Sequence, residues 1–166
     1  MSEVDRIRDE LRRADRGAPW HGASVSALLD GVSAADARAR PVAGAHTIWE
    51  LALHMAAWRS EAARRVAGAV PGLPSEGDWP PPAEGAATEA GWTAARGALT
   101  DACSMLDHAL QPWPEARLAD LVGSMAPEAP LGTGTSFYVL LHGVAQHDAY
   151  HAGQIALLKK ALAAQS

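Results

Sequence analysis

One helical stripe near the C-terminus constrains this chain more than any other feature. Starting near Thr135 or Ser136 and running to about Leu162, apolar side chains recur at Phe137, Leu140, Val144 and Leu158. That three-and-four spacing marks one face of a helix. Three positions of the same stripe are not apolar: they are His147, His151 and Gln154. Leu or Val at each would have completed a core-facing seam. Burying polar groups without partners costs on the order of a few kcal/mol each. A helix that turns this stripe to a core must therefore supply partners for it.

The rest of the chain reads as further helices separated by Pro/Gly-rich connections. Val4, Ile7, Leu11 and Ala14 give the inner face of a helix over about 3–15. Gly17 and Pro19 interrupt it. Ser24 opens a short helix with Val25, Leu28 and Leu29 inward and Gly31 as its stop. Ser33 caps one more turn, closed by Pro41, so this extension covers about 24–39. Thr47-Ile-Trp-Glu50 fits a capping box at the start of a helix over 47–67. There Ile48, Leu51, Met55, Trp58 and Ala62 follow at core spacing, with Gly68 past the end. Residues 70–86, with three successive prolines at 80–82, suit an extended surface loop pinned by Trp79. Trp92, Ala95, Leu99, Ala102, Leu106 and Ala109 form the seam of a helix over 88–110, ended by Pro112 and Pro114. Residues 115–134 are irregular, with room for a short hairpin. The hydrophobic share, 48%, leans on Ala, and β-branched residues are few, which favours helix over strand. The expectation is one all-α domain over 1–166, an antiparallel four-helix bundle with long irregular crossovers.

Charge and cysteine content narrow the function classes. The net charge is −5 and no basic run occurs, so the electrostatic footprint of a nucleic-acid binder is missing. The single cysteine, Cys103, cannot form an internal disulfide or a cysteine zinc framework. It has no positive neighbour in sequence and reads as an inert thiol. The charged start, Met-Ser-Glu-Val-Asp-Arg, does not read as a secretory signal. No stretch reaches the roughly 18 apolar residues of a membrane span. The default expectation is a cytoplasmic protein with no membrane partner.

The histidines carry the chemistry. His147 and His151 are four residues apart, one turn apart on one helix face, where two imidazoles can converge on one metal. His54 lies between Leu51 and Trp58 on an apolar stripe of its own helix. A lone histidine on such a face is more often a core residue than a ligand, and a metal-free histidine network is the competing reading. Three in seam positions are harder to account for that way. If the two helices pack together, the three form a nitrogen cap with a coordination position left open, the catalytic rather than the structural pattern. His147-Asp-Ala-Tyr-His151 also approaches the His-Glu-x-x-His of metalloproteases. Asp148 is a methylene short of Glu, and the further ligand is missing, so a protease is disfavoured. Asp148 itself reads as a solvated charge or a partner of a ligand. His142 lies about 140° round the helix from His147 and should not share the metal. His108 reads as exposed, and His21 and His46 lie in connecting segments.

These residues coincide with a known pattern. Trp20-His21-Gly22 followed by Leu28-Leu29, Ala45-His46-Thr-Ile-Trp-Glu-Leu51 with His54 and Trp58, Gly77-Asp-Trp-Pro80, Trp92, and the closing His142 to Ile155 stretch resemble the DinB/YfiT-like superfamily of metalloenzymes. The resemblance covers nearly the whole chain. It implies a four-helix bundle of up-down-down-up topology, often a homodimer, with metal ligands at His54, His147 and His151. In relatives the metal is nickel, zinc or a similar ion. Some relatives look like thiol transferases that use bacillithiol, mycothiol or a related cofactor, including a maleylpyruvate isomerase branch.

The expectation is therefore a metal-binding protein acting on a small-molecule substrate. One divalent ion, zinc or nickel foremost, with iron, manganese or copper also compatible, would activate water or a low-molecular-weight thiol co-substrate. Glu50, Gln154 and Tyr150 are the candidates to orient or protonate the reacting groups. The alternative is a non-catalytic, metal-stabilised module for dimerisation or partner binding.

Overall fold

The computed structural model describes residues 1–83, 87–123 and 134–165. The protein is all-helical. Its elements are α1 (Glu3–Arg16), α2 (Val25–Leu29), α3 (Ala34–Arg38), α4 (Ile48–Val66), α5 (Glu89–Leu110), a 3-10 turn (Glu115–Ala119) and α6 (Phe137–Ala163). Each α-helix opens on a hydroxyl cap: Ser2, Ser24, Ser33, Thr47, Thr88 and Ser136. These side chains accept first-turn amide hydrogens that have no partner inside the helix. At α4 the box is reciprocal: the Glu50 amide donates to Thr47 at 3.1 Å and the Thr47 amide to Glu50 at 2.7 Å. Thr47→Ala should lower stability by about 1 kcal/mol, read as a lower urea midpoint with an unchanged slope. Gly68, just beyond α4, adopts φ +95°, a backbone state that glycine takes without strain.

α4 packs on α5 and α6, and α1 packs on α6 and α5. Two apolar clusters form the interior. One joins Val25, Leu29, Trp49, Met55, Trp92, Leu99, Ile155 and Leu158. The other joins Ile7, Leu11, Ala62, Val66, Leu106, Leu110, Phe137 and Leu141. Along the chain, α4 and α5 pass from the first cluster to the second, and α6 passes from the second to the first. Where α4 and α6 cross between clusters, polar residues are buried instead: Arg59 on α4 and Asp148 and His151 on α6, with Asp15 at the end of α1 linked to them through Cys103.

The short helices are tied on by side chains. The Trp92 indole donates to the Val32 carbonyl at 2.7 Å, and the Ala34 amide donates to Glu89 at 2.8 Å. Lys159 donates to the Leu28 carbonyl at 2.6 Å, closing the end of α2. Between the 3-10 turn and α6, the Val122 amide donates to the Thr135 carbonyl at 2.7 Å beside an isolated antiparallel bridge, Leu121 to Ser136. The expected short hairpin is present only as that bridged base. Its remaining length, 124–133, lies outside the described residues.

Two details of the expected seams are corrected. On α6 the fully buried line runs through Leu141, Val144, Ala145, Asp148, His151, Ala152, Ile155 and Leu158, while Leu140 and His147 sit at its half-buried edge. The stripe is rotated because α4 and α1 both press on α6 and bury more than one seam's width. On α4 the seam position falls on Arg59, and Trp58 is half-buried.

Candidate metal centre

α4 carries His54 and α6 carries His147 and His151, and the contact between these helices brings all three rings together. Their candidate ligand nitrogens lie within 4.8 Å of one another. His147 is the hub: its Nε2 is 2.9 Å from His54 Nε2 and 3.1 Å from His151 Nε2.

The outer nitrogens decide which protons these rings hold. His54 Nδ1 lies 2.5 Å from the carbonyl oxygen of Asp78. A carbonyl only accepts, so Nδ1 carries the proton and Nε2 presents a lone pair. His151 Nδ1 donates to Gln154 Oε1 at 2.7 Å, which leaves its Nε2 in the same state. Both lone pairs face His147 Nε2, and one N–H there could satisfy only one of them. A cation satisfies all three nitrogens at once. Tetrahedral coordination at the usual zinc–nitrogen distance sets ligand nitrogens about 3.3 Å apart; the two separations to His147 are a few tenths shorter, and the third pair lies within 4.8 Å. The residues present therefore fit a divalent ion.

Electrostatics agree with that donor set. Burial drives the His147 pKa down to about 3, helped by His151 and His54. Burial also lowers His54 and His151, against the opposing bonds to Asp78 and Gln154. All three rings are neutral near pH 7, the form that ligates metal.

Aromatic packing holds His54 flat. Trp79 stacks on it at 3.8 Å between centroids with planes 9° apart. On the other face of Trp79, His46 stacks at 3.5 Å and 3°. The expected role of Trp79, pinning its loop to the body, is thus performed against the His54 ring itself. The Trp58 indole donates to Asp78 Oδ1 at 2.7 Å, so Asp78 secures the loop with its side chain and His54 with its carbonyl. Sequence reading missed Asp78, because a backbone acceptor has no residue signature. Gln154→Leu removes the acceptor on His151 and should weaken metal affinity about 10–100-fold, measured by competition with a chromophoric chelator.

The other candidates divide. Glu50 is occupied by the α4 cap and by Arg40, whose Nη2 donates to it at 2.9 Å. Burial raises the Glu50 pKa, but the Thr47 amide and Arg40 outweigh it, and the net shift is downward. Tyr150 is 66% exposed and sets its ring edge-on to His151 at 5.1 Å. His142 turns away and pairs with Glu10 at 2.9 Å, and His21 and His108 are exposed.

Asp148 corrects the reading of a solvated charge: its relative exposure is 0%. It accepts two bonds from the Arg59 guanidinium, Nε at 3.1 Å and Nη2 alongside. Arg59 Nη1 donates to Cys103 Sγ at 2.6 Å, and the thiol donates to Asp15 at 3.3 Å. Burial pushes the Cys103 pKa well up, against the pull of Arg59, so it stays a thiol, as expected. Its positive neighbour comes from α4, far off in sequence. Arg59 could have been found from spacing, since Met55, position 59, Ala62 and Val66 form one stripe.

A helical body with three neutral imidazoles converging between its helices presents a nitrogen-donor cluster that could hold a metal ion. The model of the DinB superfamily matches residues 20–155, and the chain belongs to that superfamily. No curated protein and no solved structure matches the chain.

Proposed function

We propose that this DinB-superfamily protein holds one divalent ion, zinc or nickel, on His54, His147 and His151. In this reading it is a metal-dependent transferase or hydrolase acting on a small molecule. The observation that carries the proposal is the proton count: two Nε2 lone pairs meet a third nitrogen that can offer at most one hydrogen. A divalent ion there supplies Lewis acidity that lowers the pKa of a bound water or low-molecular-weight thiol. The protein's part is to keep three imidazoles neutral and aimed. Asp78 and Trp79 do this for His54, and Gln154 does it for His151. Exposed Tyr150, beside His151, is the candidate to meet substrate, while Glu50 and Gln154 act by positioning.

The bundle reading extends to topology. An up-down-down-up arrangement is supported by the opposite order in which α6, compared with α4 and α5, traverses the two apolar clusters. A single domain over 1–166 and a homodimer complete the proposal. Exposed Val139 and Leu157 lie along one side of α6 and give a dimer a face to cover.

The test is elemental analysis of purified protein before and after dialysis against a chelator, then titration with zinc and nickel. One equivalent per chain is expected. A chain that is metal-free as purified and takes up neither ion contradicts the reading. The occupation of Glu50 by the helix cap favours a second reading, a non-catalytic metal-stabilised module. Turnover in a screen of thiol co-substrates with metal-loaded protein decides against that module.

A further inference from the structure

Beside the three histidines lies a cleft whose walls are almost wholly apolar. Trp58 and Ala62 of α4 face Leu140, Gly143 and Val144 of α6, and His147 closes one end. His147 is also the one ligand candidate that is only half-buried; His54 and His151 are buried. The cleft thus meets the centre at its most accessible nitrogen-bearing ring.

Two arginines reach the cleft, and each is already paired with a buried carboxylate, Arg59 with Asp148 and Arg65 with Glu61. Arg59 gives Nε and Nη2 to Asp148 and Nη1 to Cys103. Arg65 gives Nε to Glu61 at 2.8 Å and Nη2 to the Gly72 carbonyl at 2.7 Å, with its Cζ 5.7 Å from the Trp58 ring centroid. Their charges are already balanced by those carboxylates, which makes them a poor seat for a further anion. Trp58 is itself fixed, since its indole donates to Asp78. The wall of the cleft and the orientation of His54 are therefore set by the same residue.

The volume is about 200 Å³. An apolar protein cavity of roughly 150 Å³ accepts benzene, so a six-membered ring fits. Gly143 adds an independent observation. Glycine is a poor residue for a helix interior, yet a Cβ at position 143 would meet nothing within 4 Å. No contact among the described residues demands glycine there. Its lack of a side chain keeps the cleft open.

We infer that this cleft receives an apolar group, up to the size of a benzene ring, on the molecule that binds at the three-histidine centre. The inference rests on the metal reading above and adds a substrate class to it. The favoured ligand has a compact metal-seeking head and an uncharged hydrocarbon or aromatic arm, and lacks a second anionic group.

Acetohydroxamate and benzohydroxamate share one metal-binding head and differ in a methyl against a phenyl arm. Calorimetric titration of the zinc-loaded full chain should show benzohydroxamate binding at least about tenfold tighter. Gly143→Leu places a side chain in the cleft and should bring the ratio of the two affinities close to one. Gly143→Ala, a smaller change that favours the helix, should reduce the ratio part of the way. Zinc content and thermal melting are read for every variant. Equal affinities in the parent protein, or an undiminished ratio in a folded, zinc-loaded Gly143→Leu, overturn the inference and leave the metal reading standing. Failure of the parent chain to bind zinc overturns the metal reading, and this inference falls with it.

Discussion

His147→Ala will yield a folded protein that no longer holds metal tightly. His147 Nε2 is the atom that approaches both other ligand nitrogens, at 2.9 and 3.1 Å, and no other described His, Cys, Asp or Glu joins this donor group. Two remaining imidazoles on different helices cannot replace it. The loss should exceed the 10–100-fold expected for a residue that merely supports a ligand. Because the ring is half-buried, its removal leaves little strain in the metal-free chain. The clean readout is thermal unfolding with and without zinc. A ligand at about 1,000 times its dissociation constant stabilises the native state by about 4 kcal/mol. For a chain of this length that is a rise of roughly 8–16 °C. The parent protein should show such a rise and His147→Ala should show almost none, with elemental analysis giving the same order. A full zinc response in the variant would remove His147 from the centre.

The second large effect belongs to a pair one residue away. Asp148→Ala leaves a buried guanidinium without its counter-ion, and Arg59→Ala leaves a buried carboxyl, its pKa already pushed up to about 6 by burial, without its donor. Arg59 and Asp148 have relative exposures of 2% and 0%. Burial opposes the charge on Arg59, yet Asp148 holds its pKa above the usual value. Breaking such a pair from one side costs about 3–5 kcal/mol. Typical domains have only about 5–15 kcal/mol in total, so each single variant should be close to unfolding. Replacing both members with apolar residues of similar volume should recover most of the loss, because the orphaned charge is then gone. Urea denaturation of the singles and the double forms a closed cycle. Two single costs that add in the double would show that the pair does not act as a unit.

Much of this architecture is local in origin, which is why the sequence reveals it. Thr47 and Glu50 declare the start of α4 between themselves, and Val4, Ile7, Leu11 and Ala14 declare the buried side of α1. His147 and His151 declare themselves too, because four residues on a helix is a short-range geometry. His54 is different. His147, the ring it approaches, lies 93 residues away, and the neighbours of His54 mark it only as a histidine on an apolar face. Spacing makes it a candidate, and the family resemblance secures it. What stayed hidden is what requires two distant segments to meet. Asp148 looks like a surface acid until Arg59 arrives from α4. Cys103 has no cation nearby along the chain, and in space it touches that same guanidinium. The Asp78 carbonyl carries no side-chain identity at all. The rotation of the α6 stripe likewise depends on which helices flank it, a property of the whole body rather than of the segment.

The buried polar belt between the two apolar clusters has a consequence for how the molecule can vary. Side chains in each cluster pack mainly against their own cluster, so a misfit introduced at one end relaxes there. The directed bonds among Arg59, Asp148, Cys103 and Asp15 tolerate little displacement, and they adjoin the histidines. They act as a bulkhead: both ends of the molecule can be remodelled while the spacing of the three imidazoles holds. A protein partitioned in this way can change the walls that greet a substrate without rebuilding the centre beside them.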